Sequence, residues 1–299
     1  MSFSEAELVR GVELDEAGFL PSHGESVENF FLRVEKILKI YHDFESELEQ
    51  HGESDVYDLH LRTSDRVPIE IIKEAEELTE QLYSFRTMHV PGFFLSRDVG
   101  LLWGGCMICD PDYPLSIFLI RGAFRNRQRW FLYNRSELLA HELCHSMRQS
   151  LEEMTLEEFF AYQTSPSRLR RYLGNCFIRE YDAVWFVIPS LLLVAVQLLQ
   201  YSWLPWLPIW PFWPVALAYP AFLLIRNGIS RYLVKRAQKK LIQFGVQRPL
   251  AVLFRLDREE IRQIGLMKCL EEFEQYVARR SERDFRWAIL ARRFLTEIL

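Results

Sequence analysis

The apolar positions change period several times along the chain. Between residues 27 and 50, Phe30, Phe31, Val34, Ile37, Leu38 and Tyr41 recur at three- and four-residue intervals with acids and lysines between them. That spacing predicts an amphipathic helix. A second helix is predicted from Ser64 or Asp65, with Pro68 in its first turn, to about Phe85. From Val90 to Tyr133 the chain is rich in glycine and aromatics, with short apolar runs at Gly100–Trp103, Leu115–Ile120 and Trp130–Tyr133. A small sheet of two to four strands is expected there. Helical spacing returns from Ser136 to about Gln149, and a further helix is expected from Glu152 or Thr155 to about Tyr162. The tail carries at least two more amphipathic helices, one opened by Asp257 with Glu260 three residues on, a capping box built on aspartate.

One block has no polar face. Between Asp182 and Arg226 lie 43 residues without an Asp, Glu, Lys or Arg. A single helix of that length is about twice what a bilayer needs, since roughly 20 residues span about 30 Å. Two segments are therefore expected, near 183–202 and 209–225, turning at Trp203-Leu204-Pro205-Trp206-Leu207-Pro208. Trp203, Trp206, Trp210 and Trp213 suit a headgroup level, and arginines and lysines flank both outer ends. The expectation is an integral membrane protein with two spans, crossing or re-entering. Both termini and the bulk of the chain are then cytoplasmic by the positive-inside rule, with the lipid bilayer as a partner. The acidic start, MSFSEAELVRGVELDEAG, has no apolar core of a signal peptide.

Of 299 residues, 49% are hydrophobic and 26% charged, which supports a packed core and excludes a disordered chain. Residues 1–90 carry 21 acids and 8 bases, whereas residues 226–299 carry 9 acids and 17 bases. A nucleic-acid partner is not expected from that distribution; the basic third can face an anionic membrane or the acidic N-terminal third. Five cysteines form no disulfide framework and suit a reducing compartment.

The sharpest chemical signal is His141-Glu142-Leu143-Cys144-His145. On a helix, positions i and i+4 share a face, so His141 and His145 can offer two imidazole nitrogens to one Zn²⁺. Glu142 stands beside them as general base. Leu138, Leu139, Leu143 and Met147 supply an apolar face for burying this helix. Catalytic zinc takes a third protein ligand, and no histidine lies downstream. An acid is required, and Glu157 and Glu158 follow closely.

At these residues the chain resembles the gluzincin metallopeptidases, in which a second helix with Glu-x-x-Ala supplies the third ligand. Glu158-Phe159-Phe160-Ala161-Tyr162 matches that pattern over roughly residues 115–163. The resemblance implies Glu158 as ligand, with Glu157 in reserve, and a polypeptide substrate laid on an edge strand near Leu115–Ile120. Tyr162 stands where the family more often has Asp or Asn; four residues after Glu158 and on the same side, it is either a hydroxyl donor to the oxyanion or a packing aromatic. Thr155-x-x-Glu158 is also a capping box, a role incompatible with ligation.

The fold class expected is α+β: a zincin-like, mainly helical catalytic domain with a small sheet, a two-helix transmembrane hairpin and C-terminal helices. The boundaries are 1–89 (acidic, helical), 90–182 (metallopeptidase core), 183–225 (hairpin) and 226–299 (basic, helical). Cys106-x-x-Cys109 reads as a pair of buried thiols beside a strand, Cys144 as no ligand, and His89 and Arg148 as candidates for holding substrate. The function expected is a membrane-anchored zinc endopeptidase acting near the bilayer. The alternative is a membrane-associated interaction or scaffold protein whose metal site is vestigial or structural.

Overall fold

A computed structural model of the chain describes residues 3–87, 89–95, 103–110 and 114–298. Residues 100–102 of the predicted Gly100–Trp103 run fall outside the described residues. Helix α1 (Glu5–Glu16) opens on a reciprocal Ser4–Glu7 capping box, and α2 (Val27–His51) is capped by Ser26 and ended by left-handed Gly52.

A hairpin that the periodicity did not predict follows, β1 (Glu53–Val56) and β2 (Leu59–Arg62). Its two-residue turn places Tyr57 and Asp58 at φ of 55° and 58°. Both positive values suit a primed turn, whose backbone twist matches that of paired strands. Four-residue, mostly polar strands carry too little alternation to be read in advance. Helix α3 (Ile69–Tyr83) starts later than Ser64 because Thr63–Asp65 forms a single 3-10 turn and Pro68 holds the entry extended.

The main sheet is β3 (Gly92–Leu95), β4 (Gly105–Ile108) and β5 (Ile117–Arg121), in the order β3-β5-β4. Strand β3 runs parallel to β5 and β4 antiparallel, with Met107 opposite Phe118. The Leu115–Ile120 run is therefore a central strand and not the substrate-bearing edge. Ile117, Phe118, Leu119 and Ile120 are all buried, as befits a strand covered on both faces. Phe118 and Ile120 pack toward α3 and α4 (Arg135–Arg148), and Ile117 and Leu119 toward Phe44, Leu61 and Phe93. Between β5 and α4 sits a short hairpin, β6 (Arg129–Trp130) with β7 (Tyr133–Asn134).

Helices α5 (Met154–Ala161) and α6 (Arg168–Leu173) lead into a long pair, α7 (Glu180–Ser202) and α8 (Phe212–Gln243), which pack side by side. Both are long and apolar enough to cross a membrane. Their apolar residues stand uncovered: Leu191 and Leu198 are each 61% exposed, and Ile225 63%. A core hairpin would hide them. The second segment, expected at 209–225, begins at Phe212 and continues unbroken past Arg226 into the basic region, because nothing after Ile225 interrupts the helix.

The two charges that bound the uncharged run meet each other. Asp182, fully buried, takes Arg226 Nη2 at 2.5 Å, the Tyr219 hydroxyl at 2.7 Å and the Ile178 and Arg179 amides at 2.8 and 2.9 Å. This network closes the mouth of the helical pair. Helices α9 (Pro249–Phe254), α10 (Arg258–Leu266), α11 (Leu270–Ser281) and α12 (Phe285–Leu290) complete the chain, α10 opening on the predicted Asp257–Glu260 capping box. The basic tail faces the acidic start in part: buried Arg255 holds Asp15 at 2.8 and 2.9 Å, Arg293 also binds Asp15, and Arg292 binds Glu5.

Candidate metal centre

Helix α4 is started by Asn134, whose side chain accepts from the Ser136 and Glu137 amides at 3.0 and 3.3 Å. Its apolar face, Leu139, Leu143, Cys144 and Met147, is buried in the core, which turns His141, Glu142 and His145 toward α5 and β4. Cys144 belongs to that core face and is no ligand. On α5, Glu153 caps the first turn by accepting from the Thr155 and Leu156 amides at 2.9 and 3.0 Å. The Thr155–Glu158 capping box is thus not formed, and Glu158 is left for other work.

His141 Nε2 and His145 Nε2 lie 3.1 Å apart. The Glu158 carboxylate faces both, one oxygen 3.6 Å from His141 Nε2 and the other 3.5 Å from His145 Nε2. Ligand atoms on a tetrahedral zinc with bonds of 2.0–2.1 Å stand about 3.3–3.4 Å apart, so spacing and donor types both fit such an ion. Among the described residues, these three form a group able to hold a metal.

Glu157 has a different position from the reserve ligand it was expected to be. It accepts from His145 Nδ1 at 2.8 Å, on the ring edge opposite the cluster, and so orients His145 Nε2 toward Glu158. The Ala161 backbone near the His141 ring partly offsets the effects that lower its pKa.

Electrostatics separates the two imidazoles. Burial, with His145 and Arg170 nearby, holds His141 well below its usual range and therefore neutral. Burial acts the same way on His145, but the Glu157 hydrogen bond and the Glu158 and Glu142 charges outweigh it and lift that ring to about 9. Burial raises Glu142 to about 7, partly countered by His145; the Met107 amide donates to it at 3.2 Å.

A cavity of about 230 Å³ opens beside the cluster, lined by Trp103, Tyr133, His141, Glu142, Tyr162 and Arg170. The Tyr162 ring meets His141 edge-on at 4.6 Å, and burial with Glu158 nearby pushes its hydroxyl up to about 12. Gly174 lies against that ring: a Cβ there would sit 2.1 Å from Tyr162 Cγ. Arg170, read in the sequence only as a membrane flank, pairs with Glu137 at 2.7 Å on the cavity wall. Nothing in its local sequence marks that role.

Two expected substrate contacts lie elsewhere. Arg148 is buried, bonded to the Phe254 carbonyl and packed 4.6 Å over Phe160, where it ties α4 to α9. His89 is buried against Phe19 at 3.9 Å and lines a separate cavity of about 450 Å³. The two cysteines of the C-x-x-C are not a buried pair: Cys106 is half-buried on β4 and Cys109 exposed, both as free thiols. Compared with protein-family models, curated proteins and solved structures, the chain matches none. What the site presents is a His141-His145-Glu158 triad consistent with a metal centre of the HExxH type.

Proposed function

We propose that the protein is a membrane-anchored, zinc-dependent endopeptidase, with its cavity and both termini on the cytoplasmic side, cleaving polypeptide near the bilayer. The observation that carries this reading is the convergence of His141, His145 and Glu158 beside a buried carboxylate, Glu142. His141, His145 and Glu158 would hold the ion, which when bound supplies Lewis-acid polarisation of a carbonyl and acidifies water. Glu142, with a proton affinity near neutrality, accepts a proton from the attacking water and returns it to the leaving amine. Tyr162 stays protonated and donates its O–H to the oxyanion.

The substrate strand has a place as well. Met107 sends its amide to Glu142, away from β5, so by alternation Gly105 also directs its amide and carbonyl outward. An extended peptide can pair with that edge beside the metal cluster. Membrane anchoring is supported by the uncovered apolar surface of α7 and α8 and by Trp203, Trp206 and Trp210, each more than 70% exposed at their turn. Exposed Arg168, Lys235, Arg236 and Lys239 at the other end support the cytoplasmic assignment.

The test is one substitution on the purified full chain. Wild type and Glu142→Gln are both expected to carry zinc by elemental analysis, and wild type alone to cleave an unfolded polypeptide such as casein. Zinc with no cleavage in wild type favours the interaction protein with a structural ion; equal cleavage by both removes Glu142 from the chemistry.

A further inference from the structure

The tip of the β6–β7 hairpin, Phe131-Leu132, is 63% and 67% exposed. Phe131 holds a φ of 50°, a left-handed turn position that glycine, asparagine or aspartate fills with less strain. Neither burial nor turn geometry accounts for phenylalanine there, and an exposed residue held in strain points to binding. Arg170 of α6 donates to the Leu132 carbonyl at 3.0 Å, so the tip lies against α6. Leu169 and Leu173 of that helix are 66% and 41% exposed, and Phe177 after it 45%.

Helix α8 gives this patch its level. Asn227 donates to the Tyr172 carbonyl and Arg231 to the Arg171 carbonyl, each at 2.6 Å, pinning α6 beside residues 227–231. At 1.5 Å per residue these lie about 3–9 Å beyond Ile225, the last residue of the uncharged run. That is headgroup depth for a helix entering a bilayer. The Phe177 ring meets Phe186 of α7 at 5.7 Å, so the apolar surface continues from the helical pair to the patch. The exposed charges beside the patch are basic: Arg127 and Arg129 in the hairpin segment and Arg168 on α6.

We propose that Phe131-Leu132, with Leu169 and Leu173, forms a second, interfacial contact with an anionic bilayer, the one that α7 and α8 enter. This rests on the membrane reading of that pair. Tyr133 and Arg170, neighbours of the tip, also line the metal cavity, so the contact holds the cavity at the lipid surface. Polypeptide emerging from the bilayer is then the substrate presented to it. The occupant is anionic lipid because the patch extends the apolar helical surface and its rim is basic.

The test uses the full chain with Cys106, Cys109 and Cys269 replaced by serine and an environment-sensitive fluorophore on Leu132→Cys, Leu169→Cys or, in α7, Leu191→Cys. Each is reconstituted into phosphatidylcholine vesicles with or without phosphatidylglycerol, containing lipids brominated near the headgroup or near the chain end. Expected is a blue shift and loss of emission at 132 and 169 with shallow bromine, stronger with phosphatidylglycerol, and loss at 191 with deep bromine. Quenching at 191 alone keeps the helical pair in the membrane and overturns the interfacial contact. Quenching indifferent to phosphatidylglycerol overturns the anionic assignment. Shielding of 132 from aqueous iodide without lipid quenching assigns the patch to a protein and overturns the proposal. No quenching at 191 removes the membrane reading and the proposal with it.

Discussion

Glu157 and Glu158 are neighbours with opposite assignments, and replacing each in turn by alanine separates an orienting carboxylate from a ligating one. Glu157 makes a 2.8 Å hydrogen bond to His145 Nδ1, on the far side of the ring from the cluster. A charged bond of this kind is worth about 1.5–3 kcal/mol. Loss of such a partner typically weakens metal binding about 10–100-fold, or about 1.4–2.8 kcal/mol. The two magnitudes, reached from different quantities, overlap. Glu158→Ala removes one of three donors, and its loss in zinc affinity is expected to exceed about 100-fold, above the range for an orienting partner. Glu157→Gln keeps an acceptor for His145 and is expected to fall between wild type and Glu157→Ala. Competition against a chromogenic zinc chelator measures all four affinities, with circular dichroism checking the fold. Glu157→Ala proving as damaging as Glu158→Ala, or more so, would put Glu157 on the metal and refute the assignment.

Other substitutions probe the cavity and the core. Tyr162→Phe is expected to lower kcat by about 10²–10³-fold with zinc content and KM little changed, as for a lost oxyanion donor; an unaltered kcat leaves Tyr162 a packing residue. Gly174→Ala places a Cβ where the Tyr162 ring now lies, 2.1 Å from its Cγ. Displacing the ring by about 1 Å is expected to reduce kcat by up to about 100-fold with zinc retained, and an unchanged rate shows that Tyr162 is not positioned from this side. Asp15→Ala leaves Arg255 buried without its carboxylate. A loss of about 3–5 kcal/mol is expected, read as a lower melting temperature in detergent. A small shift instead means that the Tyr83 and Ala251 carbonyls, at 2.7 and 2.8 Å, suffice for the guanidinium.

Several elements were legible in advance because their signal is local. The Val27–His51 helix repeats its apolar residues on one face, and the uncharged run around α7 is long enough to identify without neighbours. The β1–β2 hairpin was not legible, since two four-residue strands acquire their inner face only when Phe44, Leu48 and Phe93 pack on them. The same holds for Arg148. The sequence offered it only as a candidate for holding substrate, and the docking of Phe254 against Phe160 shows that the guanidinium is enclosed.

The i, i+4 pair of imidazoles and the two apolar segments follow from the chain alone, because a helical repeat and a bilayer's thickness are both set by local geometry. The choice between two adjacent glutamates does not. Side chains next to each other on a helix point about 100° apart, so either could have faced the histidines. What decides is the rotation of α5 about its own axis, held by buried Leu156, Phe160 and Ala161 and by the Tyr83 hydroxyl on the Phe160 carbonyl at 2.6 Å. Those contacts join residues far apart in the sequence, and they turn Glu158 into the cluster and Glu157 behind His145.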